Sequence, residues 1–258
     1  ELNFISADYT VMDEYKDSDE LIASPSQTSY YVLFNVNEAP FDDVRVRQAF
    51  SMAVNRDEVA SACGSSYEAS DFFVAKHLKS SASGKDWAEE AEEDPIGFDP
   101  DKAKELLADA GYADGFDLEI TVPSSYSQHV DSAQIIADEL SQVGINVTLN
   151  QVEWSTWLQD VYKGGNFQAT GTLAPSDWLK KYVTDDAKNF MHYSNTEYDD
   201  VFNTAYTTVD DDVKVENYKK AQMILAEDAA AVYIEDPANL VAVSKKFGGY
   251  TFYPTAAE

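Results

Sequence analysis

The chain is 258 residues long, 44% hydrophobic and 13% aromatic, enough apolar material for a packed core in one large domain or at most two. Its net charge of -29, from 47 acidic against 18 basic residues, repels duplex DNA and anionic membrane surfaces, so nucleic acid is disfavoured as a partner. No apolar run is long enough to cross a bilayer, and the single cysteine, Cys63, rules out an internal disulfide. The acid clusters at 89–94 and 210–212 read as solvated surface of an exported protein rather than as a field for cationic ligands. The first residue is Glu1, which reads as removal of a signal segment and more, or as an excised piece.

Residues 29–36 (SYYVLFNV) are dense in aromatic and branched side chains and read as a strand. Asp42 or Asp43 caps a helix that begins at Val44, with Val46, Ala49, Phe50 and Ala53 as its apolar stripe. Asn55 caps a second, short helix over 57–62. Residues 64–98 are polar and poor in periodicity, and so long a stretch without regular structure reads as a lid-like loop. Asp99-Pro100 then supplies an N-cap with proline at the first helical position, and Gly111 ends that helix.

Residues 116–122 alternate as a strand, 129–143 form an amphipathic helix with Ile135, Ile136 and Leu140 inward, and 145–152 alternate again. This βαβ unit calls for two parallel strands joined by a right-handed crossover. A helix over 153–163 and a strand over 167–173 follow, then helices over 197–207 and 213–230. Short apolar strands over 231–234 and 240–243 complete a single α/β domain with a mixed sheet.

The chain carries none of the constellations an enzyme needs. There is no G-x-S-x-G elbow, no phosphate-binding G-x-x-x-x-G-K-[ST] and no G-x-G-x-x-G. His77, His129 and His192 lie far apart without metal-ligand spacing, nothing local pairs Cys63 with a base, and Asp114 to Glu119 lacks the spacing of a calcium loop. No cofactor or metal is implied. Aromatic residues are the more informative class. Trp154 and Trp157 open a helix directly after a strand's carboxyl end, where open α/β sheets gather ligands, and Asp177-Trp178 follows the strand ending near Leu173. Two such loops, each with Trp beside an acid, make an amphipathic wall. Trp157 and Leu158, sharing a helical face with Val161, read as core packing instead.

Three stretches together resemble the family 5 extracellular solute-binding proteins, the oligopeptide- and dipeptide-binding components of ABC transporters. The first runs Tyr30-Tyr31-Val32-Leu33-Phe34-Asn35, Ala39-Pro40-Phe41-Asp42-Asp43-Val44-Arg45-Val46-Arg47-Gln48-Ala49-Phe50 and Ala53-Val54-Asn55-Arg56-Asp57. The second is Asp99-Pro100-Asp101-Lys102-Ala103-Lys104-Glu105-Leu106-Leu107 to Ala110-Gly111-Tyr112, and the third is Val143-Gly144-Ile145-Asn146-Val147 leading to Glu153-Trp154. Weaker matches follow at 192–195, 197–199 and 248–251.

The resemblance implies a class II periplasmic-binding-protein-like fold, of which residues 1–258 are the C-terminal lobe. Residues 1–28 and 231–258 would then run toward the hinge and an N-terminal lobe. It implies a monomer that captures short peptides at the outer face of the cytoplasmic membrane or in the periplasm, lipid-anchored or free, and delivers them to a membrane permease. It places Tyr31, Trp154, Asp177 and Trp178 at the ligand, Asp177 against the peptide's α-amino group. The departures are Leu173-Ala174 and Pro175-Ser176 before that aspartate, and the lack of arginines near Val161 and Gly171 that would meet a peptide carboxylate. Arg45 and Arg47 are expected to pair with Asp42, Asp43 or Asp57. An oligosaccharide or a metal chelate is the alternative solute, and a hydrolase the remote one.

Overall fold

The structure, a computed structural model, describes residues 4–7, 21–64, 66–70, 72–91, 93–175, 178–247 and 249–251. Its sheet runs β1 (Phe4–Ala7), β8 (Ala231–Val243), β3 (Thr28–Phe34), β7 (Ala169–Pro175), β5 (Phe116–Pro123), β6 (Ile145–Val152). β2 (Leu21–Pro25) and β4 (Tyr67–Ala69) also pair with β8. β5 is parallel to β6 and to β7, and every other pairing is antiparallel, so the sheet is mixed as expected.

Central strand β3 explains why residues 29–36 read as one unbroken apolar run. Its alternate side chains enter two separate cores. Tyr30, Val32 and Phe34 pack with α1 (Val44–Ala53), α2 (Arg56–Ala62), α4 (Pro100–Asp109) and α5 (Ser127–Ser141). Tyr31 and Leu33 pack on the other face with Trp157, Tyr182, Tyr198, Phe202, Leu225 and Tyr233. That second core draws on α7 (Thr196–Thr207) and α8 (Asp211–Glu227). Both faces are therefore covered by helices, the three-layer arrangement of an α/β fold.

Two expectations are corrected. Residues 64–98 are not lid-like: Val74, Ala75, Leu78 and Trp87, the first residue of α3 (Trp87–Glu90), form a third apolar cluster, and β4 adds to the sheet. Arg56 ties this stretch down, its Nη2 lying 3.0 Å from Asp94 Oδ2 and its Nη1 donating to Ile96 O at 3.2 Å. Secondly, the two short terminal strands are one, β8. Its first half pairs with β3, Glu235–Pro237 pair with β4, and its second half pairs with β1 and β2. Asp236-Pro237 reads as a break in the sequence, yet proline is harmless at such an irregular junction, where the register against β3 shifts beside Tyr30.

The helix over 153–163 is α6 (Trp154–Trp157) continuing as a π-helical turn, Leu158–Tyr162. Arg45 pairs with Asp43 at 2.5 Å as expected, but Arg47 does not use a carboxylate. It is buried and donates to the carbonyls of Phe41 at 2.8 Å and Asp228 at 3.1 Å, tying α1 to the end of α8.

Candidate ligand-binding wall

Parallel strands β5, β6 and β7 finish at Pro123, Val152 and Pro175, on one edge of the sheet. Antiparallel β3 begins at that edge, with Thr28 opposite Pro175, and β8 reaches it at Glu235, opposite Tyr30. The topology thus gathers residues from five strands and the loops that follow them.

Trp154 is 37% exposed and lies face to face on Trp157, with ring centroids 5.1 Å apart and planes 10° from parallel. Trp157 is buried as core, as its helical face implied, and its Nε1 donates to Thr170 Oγ1 at 2.9 Å. Thr170 Oγ1 in turn donates to Thr121 O at 2.7 Å. Trp154 is therefore an exposed plate on a support bolted to β7 and β5, which fixes its plane without burying its outer face. Tyr126, at the start of α5, stands edge-on to Trp154 at 6.2 Å and is 54% exposed. Tyr126 escaped the sequence reading, although Ser124-Ser125-Tyr126 follows the end of β5 just as Glu153-Trp154 follows β6.

The other expected site residues fall differently. Tyr31 is fully buried, stacked on Tyr233 at 5.0 Å, and its hydroxyl accepts from Lys181 Nζ at 3.1 Å. It presents no surface; instead it seats buried Lys181 and with it the 3-10 turn Trp178–Tyr182. Trp178 opens that turn, next to the carboxyl end of β7. Asp177 lies outside the described residues. The structure thus sets Trp154 after β6 and the Trp178 turn after β7, the two strands that flank β5, and Tyr31 contacts that turn through Lys181.

Behind the wall sit titratable groups that composition could not single out. Glu235 is buried, and its Oε1 accepts from Ser132 Oγ at 2.8 Å and Gln128 Nε2 at 3.2 Å. Burial pushes its carboxyl up to about 7. Asp236, raised by burial to about 6, accepts from Ser29 Oγ at 2.5 Å and from the Lys76 N–H at 2.9 Å. Cys63 faces Glu235 and Ser132, and burial pushes its thiol up to about 12, which favours the protonated form. His129 is held down to about 4 by burial, and its Nε2 accepts the Leu173 N–H at 3.2 Å. Burial thus favours its neutral form.

The sequence profile of bacterial extracellular solute-binding proteins, family 5 middle region, matches residues 3–200. The chain belongs to this family. Among curated relatives, the glutathione-binding protein GsiB of Pectobacterium atrosepticum is 28% identical over 93% of this chain and 48% of its own length. The dipeptide-binding protein of Escherichia coli K12 is 28% identical over 91% of this chain and 45% of its own. The oligopeptide-binding protein AppA of Bacillus subtilis, solved with a nonapeptide, superposes with a TM-score of 0.85 at 20% identity. That superposition covers 99% of this chain and 54% of AppA. The family member described here thus spans about half the length of the relatives it matches, and its fold is that of a periplasmic binding protein.

Proposed function

We propose that this chain is one lobe of the solute-binding component of an ABC importer, which captures short peptides outside the cytoplasmic membrane and hands them to the permease without catalysing a reaction. The observation that carries this reading is the Trp154 plate on its sheet-anchored support. It stands where ligands gather in open α/β sheets, at the same end of the sheet as the turn that Asp177 precedes. Asp177 pairs with the peptide's α-amino group, Trp154 and Trp178 cover its backbone and side chains, and Tyr31 holds the turn from behind. Main-chain hydrogen bonds and water fill the rest, which tolerates varied sequence. The relatives named for dipeptide and glutathione, both peptides, support the ligand class.

One observation favours a second reading, another solute on the same wall. All three arginines are engaged structurally, Arg45 with Asp43, Arg47 with two carbonyls and Arg56 with Asp94. None is left in this chain for a bidentate grip on a peptide carboxylate. Calorimetry on the full-length protein separates the two. With a di- to pentapeptide library, binding is expected, and Asp177→Asn weakens it by about tenfold or more through loss of a charged hydrogen bond. Heat from an oligosaccharide or a chelate but from no peptide overturns the first reading.

A further inference from the structure

A groove with a volume of about 690 Å³ lies between α7, α8 and the segment around 83–90, and it shares no residue with the wall described above. Its apolar lining is Val201, Val215, Met223 and Ile224. Five carboxylates and three lysines complete it, and Lys220 is taken up by Glu216 at 2.9 Å. Glu90 is the unusual member. Its side chain is only 10% exposed, its Oε1 lies 3.6 Å from Lys85 Nζ, too far for a hydrogen bond, and its buried Oε2 has no hydrogen-bond partner among the described residues. A carboxylate oxygen withdrawn from water without a donor is costly, and a cationic donor is the partner that relieves the cost best.

We propose that this groove is a second binding site, for a small amphipathic amine: a primary ammonium meets Glu90 while a short apolar chain lies along Val201, Met223 and Ile224. The volume is that of a small-molecule pocket, 300–1,000 Å³ being roughly the usual range. The excess of carboxylates over lysines selects a cation over an anion. The site is separate from the peptide wall, so it stands or falls independently of the transported solute.

The test uses the full-length protein with ¹³C-methyl methionine, the Met223 signal being assigned by its loss in Met223→Leu. Hexylamine and 1,6-diaminohexane are titrated against hexan-1-ol and hexanoate. Both amines are expected to shift the Met223 methyl saturably, with hexanol and hexanoate at least about fivefold weaker. Glu90→Gln, close in size and shape, lowers amine affinity about 5- to 20-fold with a melting temperature no lower than that of the natural protein, while Lys219→Glu raises it about 2- to 5-fold. Equal binding of hexanol, or amine binding indifferent to Glu90→Gln, overturns the proposal. So does an absent shift at about 20 mM amine, in which case weaker coupling of Glu90→Gln to the permease would assign the groove to a protein partner.

Discussion

Burial of Glu235 has a consequence for how stability depends on pH. Its carboxyl is raised by burial from 4.5 to about 7, and Glu139, accepting the Asn55 N–H at 3.1 Å, is likewise raised to about 7. A carboxyl whose folded value exceeds its unfolded one favours the folded state fully below pH 4.5. That contribution is lost as pH rises through about 7. His129 acts in the opposite sense: held at about 4 against 6.5, it withdraws stability as pH falls through that window. Glu235→Gln removes one titration, so its urea midpoint should fall less than that of the natural protein between pH 5 and pH 8. The variant gains at most about 3 kcal/mol at the upper end. Superimposable pH profiles of the two proteins would refute the burial argument. Gly171 offers a second test. A Cβ there would lie 2.1 Å from the Tyr30 hydroxyl, which itself donates to His129 O at 3.3 Å. Gly171→Ala should cost about 1–3 kcal/mol by overpacking, and Tyr30→Phe in that background should recover part of it, a coupling readable from a double-mutant cycle. Additive losses would place the strain elsewhere.

At the scale of elements, local chemistry is the best-determined part. Asp43, Asn55, Asp99, Asn195 and Asp210 each accept an N–H of the helix they precede, and Asp99 takes that of Lys102 at 2.9 Å with Pro100 next in line. Such caps can be read directly, because the donor and acceptor lie within three residues of each other. Asp99→Ala should lower stability by about 1 kcal/mol, and an unchanged denaturation midpoint would show that the cap is redundant with the proline. The elements misread are those whose partners are distant. Residues 72–78 have no period of their own and are ordered by Trp87 and by β8, Phe73 lying against Tyr233 and the Lys76 N–H donating to Asp236. β8 continues through Asp236-Pro237 because β4 and Ser29 satisfy its polar groups from 160 to 210 residues away, roughly, along the chain. Tyr31 was equally opaque. In a strand buried on both faces, alternation does not say which neighbour, Tyr30 or Tyr31, faces a ligand, and here neither does. Trp154 was legible because its position after a strand end is a topological fact, and Tyr126 obeys the same rule.

For the whole molecule, the deciding fact is that the wall is one-sided. Trp154 and Tyr126 keep 37% and 54% of their surface open, whereas a small-ligand site normally covers most of its ligand. The outer half of β8 leaves β3 at Glu235–Pro237 and runs with β1 and β2, so the strand that bears the buried acids is continuous with the segment leading away from the wall. In a two-lobed binding protein such a segment is where hinge closure would bring a second wall over the first. In the function proposed above, closure would strengthen a charged contact of Asp177 by excluding water as well as adding apolar area, so the two walls are expected to contribute more together than apart. The isolated chain of residues 1–258 should therefore bind a peptide at least about 100-fold more weakly than the full-length protein, a difference of about 3 kcal/mol or more. Trp154→Ala should weaken both forms, because the plate is rigid before the ligand arrives. Titration calorimetry on the two forms decides it: equal affinities would mean that this wall alone is the site and that closure adds nothing to binding.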